Sequence, residues 1–253
     1  MKKILLLLFL FVCTGGAAQT HDAQWYLVKG NEYYEAENYD TAIAYYKKAN
    51  ELVGGNNAPC QSNIGNCYNE KKEYTQAVYW YRKAAEQGYA LAQHNLGVQY
   101  ATGRGVAEDQ AKAVYWFRKA AEQGDALAQH NLGVCYATGN GVAEDQAKAV
   151  YWYRKAAEQG DALAQHNLGV CYATGNGVAE DQAKAVYWYR KAAGQGDGNS
   201  MIRLGLAYYG GSGVPEDESL GKYWMKKGLD SNPTIETLIS LAKAFSKDEE
   251  TQE

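Results

Sequence analysis

The stretch Ala126 to Asp161, ALAQHNLGVCYATGNGVAEDQAKAVYWYRKAAEQGD, occurs three times in succession with almost no change. From Ala162 to Asp197 the same 36 residues return with Gly194 in place of Glu158, and from Ala90 to Asp125 with Gln99, Arg104 and Phe117 in place of Cys135, Asn140 and Tyr153. Nothing else in the chain narrows the fold as far. A unit this short cannot enclose a core, so each copy buries its apolar face only against its neighbours and the chain extends as a stack. A length of 253 residues would suggest one or two globular domains; the repeats replace that with one elongated domain. An isolated unit is expected to be largely unstructured, because it buries too little surface to offset chain entropy.

Each unit reads as two helices. Ala128, Leu132, Gly133 and Tyr136 fall at i, i+4, i+5 and i+8, and Ala149, Trp152 and Ala156 at i, i+3 and i+7, two helical stripes. Between them lies Thr138-Gly139-Asn140-Gly141-Val142, where glycine supplies positive φ at a helix end and Val142 offers an apolar side chain to fold back on the pair. Asp145 is the expected cap of the second helix, Arg154 and Lys155 lie near its C-terminal end, and Gly160 ends it. Gly133 in a helix interior costs about 1 kcal/mol against Ala. The expected return is close approach of the second helix, with room for Trp152, so Trp116, Trp152 and Trp188 are expected in the core.

The pattern A-x-A-x-x-x-L-G-x-x-Y-x-x-G-x-G-V-x-x-D-x-x-K-A-x-x-W-x-x-K-A-A-x-x-G resembles the Sel-one-like repeat (SLR), of the tetratricopeptide-repeat-like superfamily. It is met at Ala126, Ala128, Leu132, Gly133, Tyr136, Gly139, Gly141, Val142, Asp145, Lys148, Ala149, Trp152, Lys155, Ala156, Ala157 and Gly160. The resemblance implies an all-α, right-handed α-solenoid of antiparallel helix pairs. A fourth copy, Gly198 to Asp230, keeps Leu204, Gly205, Tyr208, Gly211, Gly213, Val214, Asp217 and Trp224 but loses the leading alanines and the Lys-Ala pair. In residues 19–89, Gly30, Tyr33, Ala42, Tyr46 and Ala49 recur at the same offsets as Gly65, Tyr68, Ala77, Tyr81 and Ala84, which resembles two tetratricopeptide repeats. There the interval from first-helix glycine to second-helix alanine is 12 residues, against 16 from Gly133 to Ala149, so the later units carry an intra-pair loop four residues longer.

The expected organisation is therefore a leader at 1–18, two tetratricopeptide-like repeats at 19–89 and four Sel-one-like repeats at 90–125, 126–161, 162–197 and 198–230. A capping helix at 231–246 follows, and then a frayed tail at 247–253. Asn232 and Pro233 read as its cap and first position, and Ile235, Leu238, Ile239, Ala242 and Phe245 as the stripe that covers the last repeat. Lys29 stands where the first unit should be apolar, as suits an exposed end.

Met1 to Ala18 has the features of an export leader: Lys2-Lys3, the apolar run Ile4 to Val12, then Gly15, Gly16, Ala17 and Ala18. Cleavage after Ala18 would deliver the chain to the periplasm or outside the cell. The alternative is a lipoprotein acylated at Cys13, with Leu10 three residues before it as in the bacterial lipobox, although Val12 departs from that motif. Formal charge is −4, or −6 with the leader removed (23 basic against 29 acidic residues), and no basic stripe offers itself to nucleic acid or anionic lipid.

Few residues suggest chemistry. Cys60 and Cys67 lie two turns apart on one helix, about 10 Å, and Cys135 and Cys171 on stacked helices about 8–10 Å apart, both beyond bridging distance. They read as small buried hydrophobes, and a pairing of cysteines within each repeat, known in some relatives, cannot be carried over. His94, His130 and His166 recur with the repeat, but a ladder rising about 10 Å per unit brings at most two near one ion, so no metal or other cofactor is expected. Ser219-Leu220-Gly221-Lys222 reads S-x-x-K without any S-D-N or K-T-G companion; it supports only the alternative of a penicillin-binding or β-lactamase-like enzyme.

The leading reading is a non-enzymatic monomeric scaffold that binds a protein or peptide, as the resemblance implies. With Ala92, Leu96, Gly97 and Tyr100 committed to the helix pair, the adjacent side of each first helix, concave in tetratricopeptide arrays, presents His94, Asn95 and Val98, then His130, Asn131 and Val134, then His166, Asn167 and Val170. These nine residues are the expected ligand face, and histidine would make binding vary between about pH 5.5 and 7.5.

Overall fold

The computed structural model describes residues 21–231. The expected leader at 1–18 with Cys13, and the expected capping helix and tail beyond Ser231, lie outside them. Twelve α-helices follow one another in pairs: α1 (Ala23–Glu35) and α2 (Tyr39–Leu52), α3 (Ala58–Glu70) and α4 (Tyr74–Glu86), α5 (Ala90–Thr102) and α6 (Gln110–Glu122), α7 (Ala126–Thr138) and α8 (Gln146–Glu158), α9 (Ala162–Thr174) and α10 (Gln182–Gly194), α11 (Gly198–Tyr209) and α12 (Glu218–Leu229). No strand occurs among the described residues. Every extensive helix contact joins helices consecutive in the chain, the signature of an α-solenoid. The intra-pair loop has three residues between α1 and α2 (36–38) and seven between α5 and α6 (103–109), the four-residue difference expected from the spacing.

The core is a column of small and aromatic side chains. From α7 come Ala128, Leu132 and Tyr136; from α8 come Ala149, Val150, Tyr153, Ala156 and Ala157, all buried and joined to their equivalents from Ala77 to Ala207. Here one expectation is corrected. Trp152 is only half-buried, as are Trp116 and Trp188, while the next residue, Tyr153, is 4 % exposed. The space that Gly133 leaves belongs to Tyr153: a Cβ at 133 would sit 2.6 Å from the Tyr153 ring. The same exchange recurs between Gly97 and Phe117 and between Gly169 and Tyr189. The tryptophan instead lies edge-on to the exposed Tyr151, with the Lys155 ammonium over both rings.

The turn chemistry is as the sequence dictates. Gly139 takes the left-handed conformation at the end of α7, and Asp145 Oδ1 accepts the Lys148 N–H at 2.9 Å to cap α8. The Asp145 N–H returns to the Tyr136 carbonyl at 2.9 Å and closes the loop. Gly141 has a second function: its backbone rests on α6 of the preceding unit, where a Cβ would fall 2.2 Å from the Gln110 carbonyl oxygen. In the first two units no such loop exists, and the tighter turns place Glu37 and Lys72 at φ 58° and 61°. Lys29 pairs with Glu32 at 2.6 Å.

Polar contacts fix the register between units. Gln123 and Gln159 donate to the side-chain oxygens of Gln93 and Gln129 at 2.7 Å, and Arg118 and Arg154 donate to the hydroxyls of Tyr136 and Tyr172 at 3.1 Å. The four described cysteines are buried free thiols. Burial pushes Cys67 up to about 12 and Cys60 and Cys171 to about 11, which keeps them protonated and unreactive.

Candidate functional site

The nine residues of the expected face divide into two groups. The histidines lie at the seam between units. Asn131 Nδ2 lies 3.0 Å from His94 Nε2 and Asn167 Nδ2 3.1 Å from His130 Nε2, both within hydrogen-bond distance, while His94 Nδ1 is buried without a hydrogen-bond partner. His94 is 8 % exposed, and its ring centroid lies 5.9 Å from that of Phe117; His130 and His166 stand in the same relation to Tyr153 and Tyr189. Burial lowers the pKa of His94 and His130, opposed by the carboxylates of Asp125 and Asp161. His166 breaks the pattern and meets Ser200 Oγ through Nδ1 at 2.8 Å and Asp197 at 3.3 Å. Asn95 donates to Asn66 Oδ1 at 3.1 Å. The asparagine amides therefore bridge to side chains of the neighbouring unit.

The valines are half-buried and open into a row of recesses, one at each junction. Val98, Asn131, Val134 and Asn140 line the first, with Gln110 and Phe117 of α6 behind them. Thirty-six residues on, Asn167, Val170, Asn176, Gln146 and Tyr153 line the second, and a further step gives Arg203, Leu206, Ser212, Gln182 and Tyr189 in the third. In each, the rear glutamine donates to a carbonyl of the preceding first helix, Gln110 to Ala101 at 3.0 Å and Gln146 to Ala137 at 2.9 Å. At the N-terminal end a fourth recess is lined by Asn31, Tyr34, Glu35, Tyr46, Asn63 and Asn66, with the Tyr46 hydroxyl donating to Asn31 at 2.8 Å. The glutamines, the loop Asn140 and Asn176, and Arg203 are lining residues that sequence reasoning missed. Their recurrence every 36 residues was visible; that two consecutive units and a loop converge on one recess was not.

The Ser219–Lys222 pair is not assembled as nucleophile and base. Ser219 is exposed on the first turn of α12, and the Lys222 ammonium is held by Glu218. Among the described residues no group of three or more His, Cys, Asp or Glu is placed to hold a metal, and no helix is long and apolar enough to cross a membrane.

The Sel1 repeat family model matches residues 17–52, 58–89, 90–125, 126–161, 162–197 and 198–233. It thus extends over the first two units, which the sequence reading likened to tetratricopeptide repeats. Among solved structures, the chain is 37 % identical to a Sel1 repeat protein from Oxalobacter formigenes, covering 81 % of this chain and 85 % of that one with a TM-score of 0.74. It is 36 % identical to c5321, a protective antigen of uropathogenic Escherichia coli strains with an SLR fold (TM-score 0.76), over 83 % of this chain but only 46 % of that protein. A putative Sel1 repeat protein from Klebsiella pneumoniae shares the fold at 22 % identity, covering 80 % of this chain and 98 % of that one with a TM-score of 0.51. No protein of curated function matches the sequence.

Proposed function

The chain belongs to the Sel1 repeat family, a scaffold suited to protein–protein binding, and from that premise we propose that it is an exported, non-enzymatic binding protein that holds an extended peptide or protein segment along the first-helix side of the stack. The observation that carries this reading is the row of recesses at successive junctions, each with an aliphatic wall and an asparagine or arginine edge. An extended segment advances about 3.3 Å per residue, so with junctions about 10 Å apart every third residue meets a recess. The histidines support the face from behind by fixing how consecutive units sit. The leader-like features of Met1 to Ala18 support the export part of the reading.

The test is capture of crosslinked partners from the native cell envelope with V134R and V170R, which fill two recesses from half-exposed positions. Loss of capture with unchanged melting supports the groove; capture equal to that of the unmodified protein places the ligand elsewhere. The S-x-x-K alternative is checked by a fluorescent penicillin, and labelling that disappears in S219A would revive it.

A further inference from the structure

The column of asparagines breaks at one place. Asn131 and Asn167 each reach back to a histidine of the preceding unit, but 36 residues beyond Asn167 stands Arg203. The histidine it would have met, His166, is engaged by Ser200 and Asp197, and Ser200 itself replaces the alanine found at 164. Arg203 is thereby released from the seam into the third recess. Its Nε is buried without a hydrogen-bond partner, although the residue as a whole is half-buried. A buried guanidinium N–H with no acceptor is costly and uncommon in native folds, and this one belongs to a residue that lines an open recess, where an acceptor can reach it.

The surroundings say what that acceptor is. Among the described residues no acidic side chain lines the recess: Tyr189, Gln182 and Ser212 form its polar edge, and Val186, Leu206 and Ala207 its apolar floor. Burial pushes the Tyr189 phenol up to about 12, so at neutral pH it remains a donor. In a chain of formal charge −4 this is a local positive site with neutral walls. The Nε–Nη edge of a guanidinium offers two parallel donors at carboxylate spacing. A volume of about 180 Å³ with an aliphatic floor suits a side chain whose methylenes precede its charge.

We propose that this recess takes the carboxylate of a glutamate or similar acidic side chain carried by the bound segment, with Arg203 as its receptor. The inference rests on the groove reading above and adds the chemistry of the partner: an extended segment with an acidic residue at the register of the last junction.

The experiment follows the Arg203 Nε–H signal of the full-length, ¹⁵N-labelled protein while N-acetyl-glutamate amide or N-acetyl-glutamine amide is added, both capped so that no terminal charge contributes. The expected result is a saturable shift with the glutamate compound and an affinity at least tenfold lower for the glutamine compound. In R203N, which restores the residue found at 131 and 167, the Tyr189 and Leu206 amide signals should no longer respond. Equal affinities for the two compounds overturn the proposal, as does a response that persists in R203N or a tighter response to inorganic phosphate. A free-protein signal already at the shifted position, moved back by changing Asp248, Glu249 and Glu250 to their amides, would assign the recess to the chain's own acidic segment and overturn the partner assignment. Titration of Arg203 together with unaffected capture in V134R and V170R sinks the groove alone. Loss of capture in those variants but not in R203N, with no titration, sinks the carboxylate alone.

Discussion

At position 133 a hydrogen atom stands where any other residue would place a carbon 2.6 Å from the Tyr153 ring. Gly133→Ala should therefore destabilise the protein by about 1–3 kcal/mol through overpacking, although alanine is the better helix former. Gly194→Ala is the contrast: nothing lies within 4 Å of its added Cβ, and the change should be neutral or stabilising by up to about 1 kcal/mol. In the same thermal melts Tyr153→Ala should cost about 3–5 kcal/mol, and Trp152→Ala distinctly less. The sequence showed that something large needed the room opposite Gly133 but not which neighbour took it, because Trp152 and Tyr153 are adjacent on a helix and both border the apolar stripe. The histidines carry a pH dependence. His94 and His130 titrate below their ordinary value in the folded state, so below about pH 6.5 the unfolded chain binds protons first and stability falls as pH drops toward the folded values. Melting temperatures from pH 7.5 to 5 should show this decline, and replacing both rings by glutamine should flatten it.

Helix by helix, the pairs end where their caps say they should. Asp145, Gly139 and the two apolar stripes were legible because each follows from a local rule. The contact of Gly141 with α6 was not, since it joins residues 31 apart whose meeting depends on how whole units stack. Gly139→Ala should cost about 1–2 kcal/mol for the left-handed backbone alone. Gly141→Ala adds a clash with the Gln110 carbonyl and should be clearly worse in urea unfolding; equal effects would mean that the loop does not bear on the preceding unit. Glu37 and Lys72 were illegible for another reason. Both occupy the left-handed region without being glycine, so the short turns of the first two units could be read only from spacing.

Across the whole molecule, stability accumulates junction by junction. Removing residues 126–161 joins Asp125 to Ala162, a junction chemically the same as Asp161 to Ala162, so the shortened chain should fold. Its denaturant m-value should fall with the surface removed. Removing 18 residues instead should leave an unpaired helix and an insoluble or molten product. The solenoid itself was legible because repetition is a property of sequence. The recesses were legible only in part: Val98, Val134, Val170, Asn131 and Asn167 line them, but side chains from two units combine there, and the histidines lie at the seams between units. Because extensive contacts among the described residues join only helices consecutive in the chain, a pulling force applied across residues 21–231 meets no extensive contact between distant units. Extension should proceed as a staircase, each rung releasing one 36-residue unit and about 120 Å of contour, with the three near-identical central units yielding at closely matched forces. Such a chain tethered between two bodies would lengthen under load by discrete steps and recoil by restacking on whatever neighbour remained folded.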